Sequence, residues 1–187
     1  MKNCIIIHGG PLSDIGEKPH HLNQLYWQPW VKSELEKQGL SCNIPAMPDP
    51  WFPNYKDWKS ELEKGPVNAS TILVGHSRGA AFLVRWLSET KQSIAKLIMI
   101  APNLSTNSVN STLRDFYSFD IDKDIQDRVN QRIIFTSEND DLENIESAQL
   151  LAQELRCNVI NLPSHGHYIT QDMGGNEFPE LVEQIIE

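Results

Sequence analysis

Thr71-Ile72-Leu73-Val74 runs into Gly75-His76-Ser77-Arg78-Gly79 and then into Ala80-Ala81-Phe82-Leu83-Val84-Arg85-Trp86-Leu87. The first four residues are β-prone, the last eight have helical periodicity, and Gly-x-Ser-x-Gly separates the two. The stretch therefore predicts a strand, a tight turn and a helix. That is the local form of a nucleophile elbow, in which a serine stands on a strained turn with its hydroxyl exposed above a sheet. Ser77 is the expected nucleophile. Gly75 and Gly79 lack a Cβ, so strand and helix can approach each other closely around the turn. Three fixed small residues recur by chance in about one chain of this length in twenty, so the strand before and the helix after carry the reading.

Working outward, Ile5-Ile6-Ile7 is a continuous apolar run that stops at His8-Gly9-Gly10-Pro11, as a buried parallel strand followed by a glycine turn would. Runs of the same kind lie at 96–101, 132–136 and 158–162, with a weaker one at 40–44. Helical spacing follows Pro29 (Trp30, Val31, Leu35, with Gly39 as the stop) and recurs over 55–64, 145–155 and 179–186. Repeated strand–helix units imply a mostly parallel sheet of about six strands with helices on both faces. Residues 13–21 read as a loop, and four prolines between 45 and 53 forbid both helix and inner strand there. The polar segment 103–131, anchored by Leu113, Phe116, Tyr117 and Phe119, predicts one or two short helices and no separate lid domain. The whole of 1–187 is expected to form a single domain.

Composition narrows the function. A net charge of -9 without a basic cluster argues against nucleic acid as a partner, because phosphate binding needs lysine and arginine to neutralise the backbone. No apolar run approaches a membrane span, and the one at the amino end is too short for a signal peptide, so a soluble cytoplasmic protein is expected. Cys4, Cys42 and Cys157 are odd in number and unclustered, which suits free thiols in a reducing compartment.

In a parallel sheet the functional loops gather beyond the carboxyl ends of the strands. Here those loops carry Ser77, then Glu138-Asn139-Asp140-Asp141, then Ser164-His165-Gly166-His167, the chain order of an elbow serine hydrolase. His167 is the expected general base, since an imidazole can take the serine proton at neutral pH and return it to the leaving group. Asp140 is the preferred acid to hold its tautomer, although spacing alone leaves Asp141 and Glu138 open. His165 reads as a loop histidine. His165-x-His167 lacks the third and fourth ligands a metal needs, so no metal and no cofactor are expected.

The developing oxyanion needs backbone donors. Arg78, after the nucleophile, supplies one; Gly10 is the best choice for the second, since Pro11 has no N–H. The Arg78 side chain reads as a solvated surface arginine, with an anionic substrate group as the alternative. His8 reads as a structural histidine. Trp51, Phe52, Phe116 and Tyr117 are the aromatic residues available to wall a substrate pocket.

Taken together, the chain resembles the small single-domain α/β-hydrolases that include retinoblastoma-binding protein 9 and bacterial relatives of the YdeN type. The resemblance rests on His8-Gly9, Met47-Pro48-Asp49-Pro50 with Asp57-Trp58, Gly75-His76-Ser77-Arg78-Gly79, Ser137-Glu138-Asn139-Asp140 and Gly166-His167. It implies an α/β-hydrolase-type three-layer sandwich without a lid, a Ser77-Asp140-His167 triad and a serine-hydrolase activity; cleavage of a small acyl substrate (ester, thioester or amide) through an acyl-enzyme on Ser77 is the leading expectation. A non-catalytic interaction module on the same fold is the rival reading, and the intact triad order favours the enzyme. The pocket-protein motif Leu-x-Cys-x-Glu is absent: Leu40-Ser41-Cys42-Asn43-Ile44 and Leu155-Arg156-Cys157-Asn158-Val159 both lack the glutamate. No protein partner is supported by a motif.

Overall fold

The computed structural model describes residues 2–11, 22–104 and 110–187. The loop expected at 13–21, and 105–109 within the polar segment, lie outside the described residues. The strands are β1 (Asn3–Ile7), β2 (Ser41–Asn43), β3 (Thr71–His76), β4 (Ile94–Ile100), β5 (Val129–Thr136) and β6 (Asn158–Asn161). They form one sheet in the order β2-β1-β3-β4-β5-β6, and every pairing is parallel. Strand order reverses between β1 and β3, the switch point where the strand ends open into a crevice. Register aligns the exits: Ile7 pairs with Gly75, His76 with Ile100, and Thr136 with Asn161.

Two apolar layers enclose the sheet because successive strand side chains alternate between its faces. On one face Ile5, Ile7, Leu73, Leu97 and Met99 pack with Trp58 of α2 (Tyr55–Leu62) and with Phe82 and Trp86 of α3 (Arg78–Thr90). On the other, Cys4, Ile6, Ile72, Val74, Ile98 and Ile100 pack with Val31 and Leu35 of α1 (Gln28–Lys37) and with Leu181 and Ile185 of α8 (Pro179–Ile186). β3 is buried along its whole length, as its unbroken apolar run requires.

The segment after β4 forms two short helices, α4 (Ser111–Tyr117) and α5 (Ile125–Arg128). The Asn110 side chain caps α4 by accepting from Thr112 and Leu113 N–H. Phe116 is 1% exposed and packs edge-on to Trp58 at 5.1 Å. This corrects the expectation that Phe116 walls a pocket: it belongs to the core. α6 runs Leu142–Leu155, three residues earlier than the spacing predicts, because its first turn is set by Asn144 and Ile145 N–H bonding to Asp141 O, while Leu142 stays exposed. The four-residue helix α7 (Thr170–Met173) carries no apolar periodicity that would have announced it. Among the described residues no helix is long and apolar enough to cross a membrane.

Candidate active site

Ser77 has φ 53° and ψ -119°, a conformation that L-residues avoid and that the surrounding turn must enforce. Its N–H donates to Ile100 O at 2.8 Å, and its carbonyl accepts from Ala80 N–H at 3.0 Å. The flanking glycines make the turn possible. A Cβ on Gly75 would lie 2.6 Å from Ala80 N, and one on Gly79 would collide with the Ile7 and His8 carbonyl oxygens. The serine thus sits at the amino end of α3, where unpaired N–H groups and the helix dipole favour negative charge.

The glycine turn after β1 faces it. A Cβ on Gly9 would stand 3.0 Å from Ser77 Cβ, and Gly10 abuts the Arg78 guanidinium. His8 anchors this turn as a buried neutral imidazole. Its Nδ1 donates to Gly9 O at 2.7 Å and its Nε2 accepts from Met47 N–H at 3.0 Å. Burial pushes its pKa down to about 4, which keeps Nε2 free to accept.

The acid and the histidine meet above the far strands. His167 Nδ1 lies 3.1 Å from Asp140 Oδ1 and 3.2 Å from Oδ2. The Asp140 side chain is only 2% exposed, so its charge requires donors. They are His167 Nδ1–H, Asn144 Nδ2 at 2.8 Å and Asp141 N–H at 2.7 Å, all reaching Oδ1. Asn144 Nδ2 also stands 3.0 Å from His167 Nδ1. The carboxylate can only accept, so the His167–Asp140 contact forms with the imidazole proton assigned to Nδ1. Asn103 Nδ2 donates to Asn144 Oδ1 at 2.7 Å and so fixes the amide's direction.

Main-chain bonds hold the His167 loop in register with both neighbours. His76 Nε2 donates to His167 O at 2.8 Å, which binds the loop to the residue preceding Ser77. Burial lowers the His76 pKa to about 3, and His167 adds to the effect. Asp172 Oδ2 accepts from His167 N–H at 2.8 Å, while Asn139 Oδ1 accepts from Gly166 N–H at 2.9 Å and Ser137 Oγ from His165 N–H at 3.0 Å. The His165 ring bonds Pro163 O at 3.0 Å and packs against Tyr168 at 5.6 Å. Ser77 Oγ and His167 are not hydrogen-bonded to each other; such contacts commonly tighten when substrate arrives.

Asn144 and Asp172 escaped the sequence reading, in which His76, Ser137 and Asn139 are quoted within motifs but given no role. Of the aromatic residues read as pocket walls, Phe52 is 50% exposed, Trp51 is half-buried beside it, and Tyr117 reaches the site through its hydroxyl, which accepts from Arg78 Nε at 3.0 Å. Arg78 is half-buried and bonded on two sides, contrary to the expectation of a solvated surface arginine. Among the described residues no three His, Cys, Asp or Glu side chains converge as metal ligands. A surface groove of about 560 Å³ lies beside His167, bordered by Asn103, Asp141, Leu142, Glu143 and Asn144.

A serine raised on an elbow at the switch point of a parallel sheet is the arrangement of the α/β serine hydrolases. The chain belongs to the serine hydrolase family, whose model matches residues 16–187. Over 184 residues it is 26% identical to YdeN of Bacillus subtilis, provisionally designated a hydrolase, across 95% of this chain and 91% of that one. The crystal structure of YdeN superposes with a TM-score of 0.84 at 23% identity, covering 100% of this chain and 97% of that chain. Est1E of Butyrivibrio proteoclasticus aligns with a TM-score of 0.65 at 16% identity, over 98% of this chain and 85% of that one. A Xanthomonas campestris protein, described as an α/β serine hydrolase without a lid, aligns with a TM-score of 0.57 at 17% identity, over 97% and 78%.

Proposed function

We propose that this hydrolase cleaves small esters, thioesters or amides through an acyl-enzyme on Ser77, with His167 as general base and acid and Asp140 as its orienting carboxylate. The observation that carries the reading is the His167–Asp140 pair: a 3.1 Å Nδ1···Oδ1 contact, on a loop bonded to the serine turn, supports a tautomer with its proton on Nδ1 and Nε2 as the base. His167 Nε2 takes the Ser77 hydroxyl proton as Oγ attacks the acyl carbon. The Gly10 and Arg78 N–H groups hold the resulting oxyanion. The proton then passes from His167 to the leaving group, and water deprotonated by the same nitrogen releases the acid. Cys4 and Cys42, buried free thiols, support a reducing cytoplasmic setting.

The site favours short acyl chains. A long chain needs a deep apolar tunnel, yet Phe116 is committed to the core and Phe52 stands half in solvent. With 4-nitrophenyl esters from acetate to palmitate, kcat/KM is expected to peak at or below octanoate, with no jump in activity at an emulsion interface. A steady rise beyond octanoate would contradict the open site, and absence of esterase activity across the series would contradict the reaction itself.

A further inference from the structure

Arg78 brings a side chain to the site as well as a backbone donor. From the first turn of α3 it folds back over the glycine turn: a Cβ on Gly10 would lie 2.5 Å from Nη1 and 2.7 Å from Cζ. Nε donates to the Tyr117 hydroxyl at 3.0 Å and Nη1 donates to the Pro50 carbonyl. The guanidinium is therefore clamped between the glycine turn, the proline loop and α4, a fixed group rather than a mobile surface cation.

Neither hydrogen-bond partner is charged. Arg85 and Arg128 pair with Glu89 and Asp122, but among the described residues no carboxylate lies within 4.0 Å of the Arg78 guanidinium. In a chain of net charge -9, a held, unpaired cation beside the nucleophile stands out. Its Nη2 and the second hydrogen of Nη1 remain as a donor fork, the geometry that binds a carboxylate through two parallel bonds.

The flank beside His167 has the opposite sign. Asp141 and Glu143 border the groove beside His167. His167 must reach the leaving group to protonate it, so the proposed mechanism assigns the leaving group to the His167 side and leaves the glycine turn, with Arg78 folded over it, to the acyl portion. An anion is repelled at one end and received at the other.

Resting on the acyl-enzyme reading above, we propose that the acyl group of the natural substrate ends in a carboxylate bound by Arg78, so that the enzyme hydrolyses half-esters or half-thioesters of short dicarboxylic acids. Water is consumed, the acyl–oxygen or acyl–sulfur bond breaks, and a dicarboxylate and an alcohol or thiol leave.

The test compares 4-nitrophenyl hydrogen adipate with its methyl-capped diester, each on the wild-type protein, Arg78→Gln and Arg78→Lys. The free acid is expected to exceed the capped ester in kcat/KM by about tenfold or more, mainly through KM. That ratio should fall to near one in Arg78→Gln and be partly restored in Arg78→Lys, which keeps the charge but loses the fork. A group that merely clamps the turn would alter both esters alike and leave the ratio unchanged. Turnover of the capped ester with no preference for the free acid overturns this inference and leaves the catalytic reading standing. Turnover of neither ester overturns both.

Discussion

Asp140→Asn is expected to lower the kcat of a 4-nitrophenyl ester by about 10⁴-fold, whereas Asp141→Asn should change it by no more than about threefold. Asp140 accepts the His167 Nδ1 proton at 3.1 Å, inside a carboxylate pocket only 2% exposed. An asparagine amide there would present an N–H to Nδ1 and push the imidazole proton to Nε2. A protonated Nε2 cannot accept the Ser77 proton, although the geometry would be nearly unchanged. Asp141 takes part through its backbone: its N–H donates to Asp140 Oδ1 and its carbonyl accepts from Asn144 and Ile145 N–H. Those bonds survive the change to asparagine, and the lost charge is screened by solvent. Steady-state kinetics at pH 7.5 on both variants decides the matter, and the reverse ranking would mean that the wrong carboxylate has been placed against the histidine.

The second large effect concerns stability in acid. His8 and His76 are both buried and neutral, with pKa values lowered to about 4 and about 3 from an ordinary 6.5. Below pH 6.5 the unfolded chain binds two protons that the folded chain refuses, so stability is complete above 6.5 and is lost as the pH falls. Each histidine contributes about 1.4 kcal/mol per pH unit in that window. Between pH 6.5 and 5 the loss is about 4 kcal/mol for the pair, a large fraction of the total stability of an ordinary domain. Asp122, held down to about 2 by Lys91 and Arg128 against the opposing effect of burial, responds only below its own ordinary range and does not contribute in this window. Urea titrations at pH 7 and pH 5 should show a midpoint lower by about 2 M at the acid pH. A midpoint that does not move would mean that both imidazoles take up protons in the folded protein, and a shift of about 1 M that one of them does.

Burial of these two histidines also explains how far the site could be read in advance. The strand–elbow–helix unit is a local matter: an unbroken apolar run, glycines that no Cβ can replace, and a helix that starts at the next residue. The order Ser77, Asp140, His167 follows from strand exits on one edge, which any parallel sheet imposes. His76, by contrast, acts through a bond to His167 O that closes 91 residues of chain. Asn144 joins Asp140 from within a helix whose start the apolar spacing set too late. Such groups are ordinary polar residues until the fold brings their partners to them.

The aromatic residues make the same point in reverse. Phe116 and Tyr117 are neighbours, yet a helix turns them apart, one onto Trp58 and Phe82 and the other to Arg78. A wall and a core look alike in composition. Arg78 was read as solvated because nothing near it in the chain could hold it; Pro50 and Tyr117 arrive from 28 and 39 residues away.

The central claim is that Ser77 is a nucleophile activated by its surroundings. A fluorophosphonate probe reacts covalently with such a serine and with few others, and peptide mass spectrometry identifies the residue it modifies. The account predicts stoichiometric labelling of the folded protein on the peptide containing Ser77, its loss on unfolding, and its absence in Ser77→Ala. Labelling that persists in Ser77→Ala, or a folded wild-type protein that takes up no probe, would contradict it.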